Sequence, residues 1–188
     1  MTAVPRFLSG QFLLSMPGMG DERFARAVIA MCVHDEDSAL GLVVNHVRPD
    51  IEARDLLDQL DVDPGVLPAG VPVFAGGPVE PGRGFVLHSP EYEGQSTLNV
   101  AGRWALTATL DILRDIASNK GPARWLIALG YAGWGPGQLE DELGGHGWHT
   151  TVAADDLIFK VPVAERWPRA FAEAGIDVNQ LSSLAGNA

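Results

Sequence analysis

Residues Leu129 to Leu143 constrain this chain more than any other stretch. Fifteen positions hold four glycines, one proline, two aromatic rings and three carboxylates. The apolar run from Trp125 to Leu129 precedes them, and Gly144 and Gly145 follow. The spacing predicts a strand, a tight glycine-lined loop and a short helix. Gly130, Gly133, Gly135 and Gly137 give the backbone room for positive φ or for close approach to another group. Pro136 stands just ahead of the helix, where its missing N–H costs little. Glu140, Asp141 and Glu142 fall in the first turns, where negative charge meets the positive end of the helix dipole. Tyr131 and Trp134 put large amphipathic rings into a predicted loop. Loops that carry such rings among glycines often bind something.

The rest of the chain alternates short apolar runs with polar turns. Phe7 to Ser15 is predicted as a strand, with Gly10 a bulge or close contact. Asp21 can cap a single helical turn through Phe24. Ala27 to Val33 and Ala39 to Val44 read as a hairpin joined by His34 to Ser38. A helix is expected to open at Pro49-Asp50 and to present Leu56, Leu57 and Leu60 on one face. Val71 to Phe74, Gly84 to His88 and Thr97 to Val100 are further strands, and Ala75 to Val79 a tight turn. Leu106, Leu110, Leu113 and Ala117 recur at helical spacing. Trp148 to Val152 is a late strand and Asp155 to Phe159 a helical turn. Val163, Trp167, Phe171 and Ala174 mark a last helix ended by Gly175. The chain is expected to fray after Leu184. Hairpins and helical crossovers together predict an α+β protein, a mixed sheet with helices packed on it. Its length of 188 residues suits a single domain over 1–188.

Composition removes several functions. The net charge is −11 with only 13 Lys and Arg. Duplex binding is driven by basic side chains that replace counterions, so direct nucleic acid binding is disfavoured. Cys32 is the only cysteine, which leaves no intramolecular disulfide and fits a reducing compartment. Its apolar surroundings predict a buried, inert thiol. The sequence shows no secretory signal and no apolar run of about 20 residues, so the protein is expected in the cytoplasm and off the membrane.

The chemistry-bearing residues form no familiar catalytic set. Gly76-Gly77-Pro78-Val79 lacks the phosphate-loop spacing. A tight turn is the favoured reading, and a pocket lined by exposed N–H groups is the other. His88 closes an apolar strand and has the pKa range of a general base. His34 and Asn45 flank the hairpin and read as structural. His146 and His149 sit among glycines rather than on one helical face, so no metal site is expected. Glu140 and Glu142 lie two apart on a helix and point to different faces. Neither a nucleophile elbow nor a cofactor loop is present, and no catalytic residue, metal or cofactor is assigned.

Five blocks resemble the bacterial YqgE/AlgH family, UPF0301. They are Gly10 to Pro17 with Asp21 and Phe24; Gly41 to Asn45; Gly76 to Val79; Leu87-His88; and Leu129 to Trp134 with Gln138 to Glu140 and Glu142-Leu143. The resemblance spans nearly the whole chain. It implies an α+β fold with an unusual coiled mixed sheet. It implies no established reaction. Control of exopolysaccharide genes by some relatives implies a regulatory role. The expectation is a non-catalytic binding or regulatory protein. Gly76, Gly77, Pro78, His88, Tyr131, Trp134, Gln138, Glu140 and Glu142 are expected to line one site. Its partner is expected to be a small molecule or a protein. The alternative is an enzyme that uses His88 with Glu140 or Glu142 as acid and base. No oligomeric state follows from the sequence.

Overall fold

A computed structural model describes residues 6–185, without the side chains of 182–185. The expected fraying after Leu184 falls almost wholly outside the described residues. The described residues form one mixed sheet of ten strands, curled into a largely antiparallel half-barrel, with six α-helices around it. The first strands are β1 (Phe12–Ser15), β2 (Val28–His34), β3 (Ala39–Val43) and β4 (Val47–Glu52), followed by helix α1 (Ala53–Gln59). Next come β5 (Pro72–Ala75), β6 (Val79–His88), β7 (Thr97–Val100), β8 (Trp104–Thr107) and helix α2 (Leu110–Ala117). Strand β9 (Trp125–Trp134) leads to α3 (Gln138–Gly144) and β10 (Trp148–Thr151). The chain ends in α4 (Asp156–Phe159), α5 (Arg166–Glu173) and α6 (Val178–Ala185).

The apolar runs of β1 and β2 have no polar alternation because both faces of the sheet are covered. Phe12, Leu14, Val28, Ala30 and Cys32 face a core shared with Trp167 and Phe171 of α5. Leu13, Ile29 and Met31 face the opposite side, with Leu139 of α3 and Trp148. A third core gathers Leu56 and Leu57 of α1 with Ile112, Leu113 and Ile116 of α2.

Strand β9 holds the sheet together. Ile127 to Leu129 pair in parallel with Val73 to Ala75 of β5, and Ala132 to Trp134 pair antiparallel with β3. Strand β6 runs along its other side, from Val79 opposite Tyr131 to His88 opposite Trp125. The predicted glycine loop is thus a continuous strand through Trp134, and only Gly135 to Gly137 turn between it and α3. The sequence misleads here because Gly130, at φ +78°, inverts the alternation of faces. Before it, Ile127 and Leu129 lie on one face and Leu126 and Ala128 on the other; after it, Tyr131 joins the side of Ala128. A slip of one residue exchanges the faces of a strand.

Two further corrections concern helices. Pro49-Asp50 does not open a helix but lies within β4, which meets β5 only at Val47 and Glu52. Proline is tolerated there because no ladder N–H is required of it. Leu106 lies in β8 opposite Leu87, and α2 begins at Leu110. The i, i+4 spacing of those two leucines bridges a strand end and a helix start.

Candidate functional site

The end of β9, the turn after it, α3 and the start of β10 build a groove of about 420 Å³. Its walls include Pro78, Trp134, Gln138, Glu142, Trp148 and Phe24. Trp134 is the last residue of β9, and Trp148 opens β10 opposite Ser15 of β1. Helix α3 is seated by Leu139, which is fully buried.

One carboxylate organises this wall. Glu142 Oε2 accepts from Trp134 Nε1 at 2.9 Å and from Trp148 Nε1 at 3.0 Å. Glu142 Oε1 accepts from Gln138 Nε2 at 3.0 Å, one helical turn back. Gln138 Oε1 in turn accepts from the Gly135 backbone N–H at 3.1 Å, which fixes the start of α3. Each indole is largely buried and has one N–H to satisfy. Phe24 packs edge-on against Trp148, with ring centroids 5.4 Å apart. At the rim Arg23 binds Asp21 through Nε at 2.9 Å and Nη2 at 2.7 Å. The guanidinium holds the Asp21 carboxyl below its usual range.

Four of the nine predicted site residues therefore meet: Pro78, Trp134, Gln138 and Glu142. The other five do not join them. His88 lies at the far end of β6 from Val79: the two pair with Trp125 and Tyr131 of β9, roughly 20 Å apart at about 3.3 Å per residue. It is fully buried, with Nδ1 bonded to the Ser89 carbonyl and Nε2 to Thr107 Oγ1, both at 2.8 Å. Burial lowers its pKa. Glu140 points away from Glu142 and bonds to His34 Nε2 at 2.8 Å. Its carboxyl is held below the usual range, first by its own backbone N–H and then by His34. The acid–base pairing of His88 with Glu140 or Glu142 is therefore overturned.

Tyr131 packs edge-on against Phe85, with ring centroids 5.8 Å apart, on the α5 side of the sheet. A hydrogen bond to Glu80 raises the pKa of its phenol. Gly76 does not offer a free N–H to an anion. Its N–H goes to the Leu129 carbonyl at 2.8 Å, while its own carbonyl receives the Val43 N–H at 2.8 Å. Gly77 is pressed on the β9 backbone, where a Cβ would lie 2.1 Å from the Tyr131 carbonyl carbon. The two glycines allow β3, β5 and β6 to converge on β9.

Sequence reasoning missed Trp148 and Phe24 as groove residues. Their signal was the indole N–H of Trp148, a donor that needs an acceptor, four residues beyond the helix carrying Glu142. His149 stacks on Phe171, away from the groove. Among the described residues no three His, Cys, Asp or Glu side chains are placed to hold a metal ion. Among them, too, no helix is long and apolar enough to cross a membrane.

A sequence profile of the AlgH-like family matches residues 12–179. The chain is 56% identical over 184 residues to a UPF0301 protein of Rhizorhabdus wittichii, covering 98% of each. It is 49% identical to a UPF0301 protein of Sphingopyxis alaskensis, over the full length of both. The fold matches the solution structure of the AlgH protein from Pseudomonas aeruginosa with a TM-score of 0.78, at 38% identity and full coverage of both chains. A crystal structure of a Corynebacterium diphtheriae protein shares the fold at TM-score 0.76, 19% identity and 93% and 91% coverage. The chain belongs to the AlgH-like, or UPF0301, family.

Proposed function

We propose that this chain is a non-catalytic binding protein of the cytoplasm, a single domain over 1–188, whose groove beside Trp134 and Trp148 receives a small molecule. The carrying observation is Glu142, held by two indoles and an amide on the wall of a groove of about 420 Å³. Small-molecule sites commonly occupy about 300–1,000 Å³, with apolar walls and a few fixed polar groups. A carboxylate whose donors are already in place needs no rearrangement to meet a ligand. Any effect on transcription runs through the bound molecule or a protein partner. The net charge of −11 opposes direct contact with a phosphate backbone.

Native mass spectrometry of freshly purified protein tests this, with Trp134→Ala and Glu142→Gln measured alongside. The expected result is an adduct on the wild type that both variants lose. An adduct carried equally by all three proteins places it elsewhere and overturns the groove.

A further inference from the structure

The binding reading leaves the ligand's chemistry open, and the charges lining the groove address it. The groove carries three charged side chains: Asp21, Arg23 and Glu142. Asp21 and Arg23 neutralise each other through a two-point contact. Glu142 is not neutralised. Its three partners are neutral N–H donors. Among the described residues no lysine, arginine or histidine pairs with it. Neutral donors stabilise a carboxylate without cancelling its charge, so one negative charge remains in the groove. A carboxylate has about four lone-pair sites. Two indoles and one amide take three, which leaves one open on Oε1.

The surroundings of that open site select what can fill it. Trp134 and Trp148 pack edge to face with ring centroids 6.2 Å apart, and with Phe24 they form one aromatic wall of the groove. Aromatic faces attract ammonium and guanidinium groups, most strongly where water is excluded. An anion would face both Glu142 and a chain of net charge −11, which draws cations in.

We infer that the groove binds a small organic cation, its ammonium or guanidinium group meeting Glu142 Oε1 beside the aromatic wall. This rests on the binding reading above and specifies the ligand class for the same groove. The occupant is a free small molecule, because a groove of about 420 Å³ suits one.

Three probes of matched size test it: the Nα-acetyl amides of arginine, lysine and citrulline. Citrulline keeps the shape of arginine without the charge. Binding is read from the Trp134 and Trp148 indole N–H resonances in the full-length protein. Arginine or lysine amide is expected to bind at least about tenfold tighter than citrulline amide, with the difference shrinking as salt is added. Glu142→Gln is expected to bring that ratio close to one. Should this variant fail to fold, the ratio and its salt dependence in the wild type still decide. Equal binding of all three probes overturns the cation and leaves the groove. No movement of either indole with any probe overturns the cation also, and the mass measurement then judges the groove by itself.

Discussion

His34 donates its Nε2 proton to Glu140 across 2.8 Å, and the direction of that bond is set from the far side of the ring. The Leu8 backbone N–H points at His34 Nδ1 at 3.0 Å, and an N–H can only donate. Nδ1 is therefore the acceptor, and the ring proton sits on Nε2. The histidine is buried and the carboxylate half exposed, so the two ends differ in worth. Glu140→Gln is expected to cost less than about 1 kcal/mol. His34→Ala strands the buried Leu8 N–H and is expected to cost about 1–3 kcal/mol. Urea unfolding of both variants checks the order, and a larger loss at Glu140 contradicts it.

The convergence of strands at Gly77 predicts intolerance to a single methyl group. A Cβ there meets the Tyr131 backbone at 2.1 Å, whereas one at Gly135 meets nothing within 4 Å. Gly77→Ala is expected to lose on the order of 1–3 kcal/mol or more, because the obstacle is backbone and cannot rotate away. Gly135→Ala is expected to stay within about 0.5 kcal/mol of the wild type. Thermal unfolding of the two variants separates packing from composition.

Burial of His88 predicts a pH dependence of stability. Its pKa is lowered in the folded state from an ordinary value of 6.5, chiefly by desolvation. The unfolded chain therefore takes up the proton first as pH falls. The contribution of His88 is present above pH 6.5 and is lost as pH drops through its folded value. His149 acts with the same sign, again through desolvation. The slope of unfolding free energy below pH 6.5 is expected to flatten in His88→Gln and in His149→Gln. An unchanged slope in both assigns the acid sensitivity to carboxylates instead.

Cys32 is expected to be silent toward thiol reagents in the folded protein. It is 3% exposed, and burial pushes its thiol up to about 12. The reactive species is the thiolate, which is scarce at pH 8 under those conditions. Labelling with an aromatic disulfide is expected to follow global unfolding and to become immediate in denaturant. Prompt labelling of the native chain contradicts this.

Most strands were legible in the sequence because runs such as Ala27 to Val33 and Ala39 to Val44 are short, apolar and bounded by polar turns; the strands formed are Val28–His34 and Ala39–Val43. Asp21 was legible too, and its side chain accepts the Arg23 N–H at the start of a helical turn. Gly130 was not. Its positive φ exchanges the two faces of β9, so no single period describes Trp125 to Trp134. The candidate site was partly legible for the same kind of reason. Trp134, Gln138 and Glu142 are close in the chain, and local geometry brings them together. Trp148 is only six positions beyond Glu142, but it is held in place by pairing with Ser15, 133 positions away. His88 was misplaced because a motif records order along the chain, whereas β6 carries His88 away from Val79, from the Tyr131 end of β9 to its Trp125 end.

The position of β9 also governs the order in which the molecule can assemble. Among the described residues it alone pairs with β3, β5 and β6 alike, and it begins at Trp125. A chain emerging from the ribosome has made β3, β5 and β6 long before their shared neighbour exists. Their edges stand open for that interval, and open edges recruit other chains. Synthesis at about 5–20 residues per second leaves them open for several seconds between the end of β3 and the arrival of Trp134. A nascent chain that stops short of residue 125 therefore lacks the strand that joins β3, β5 and β6 into one sheet.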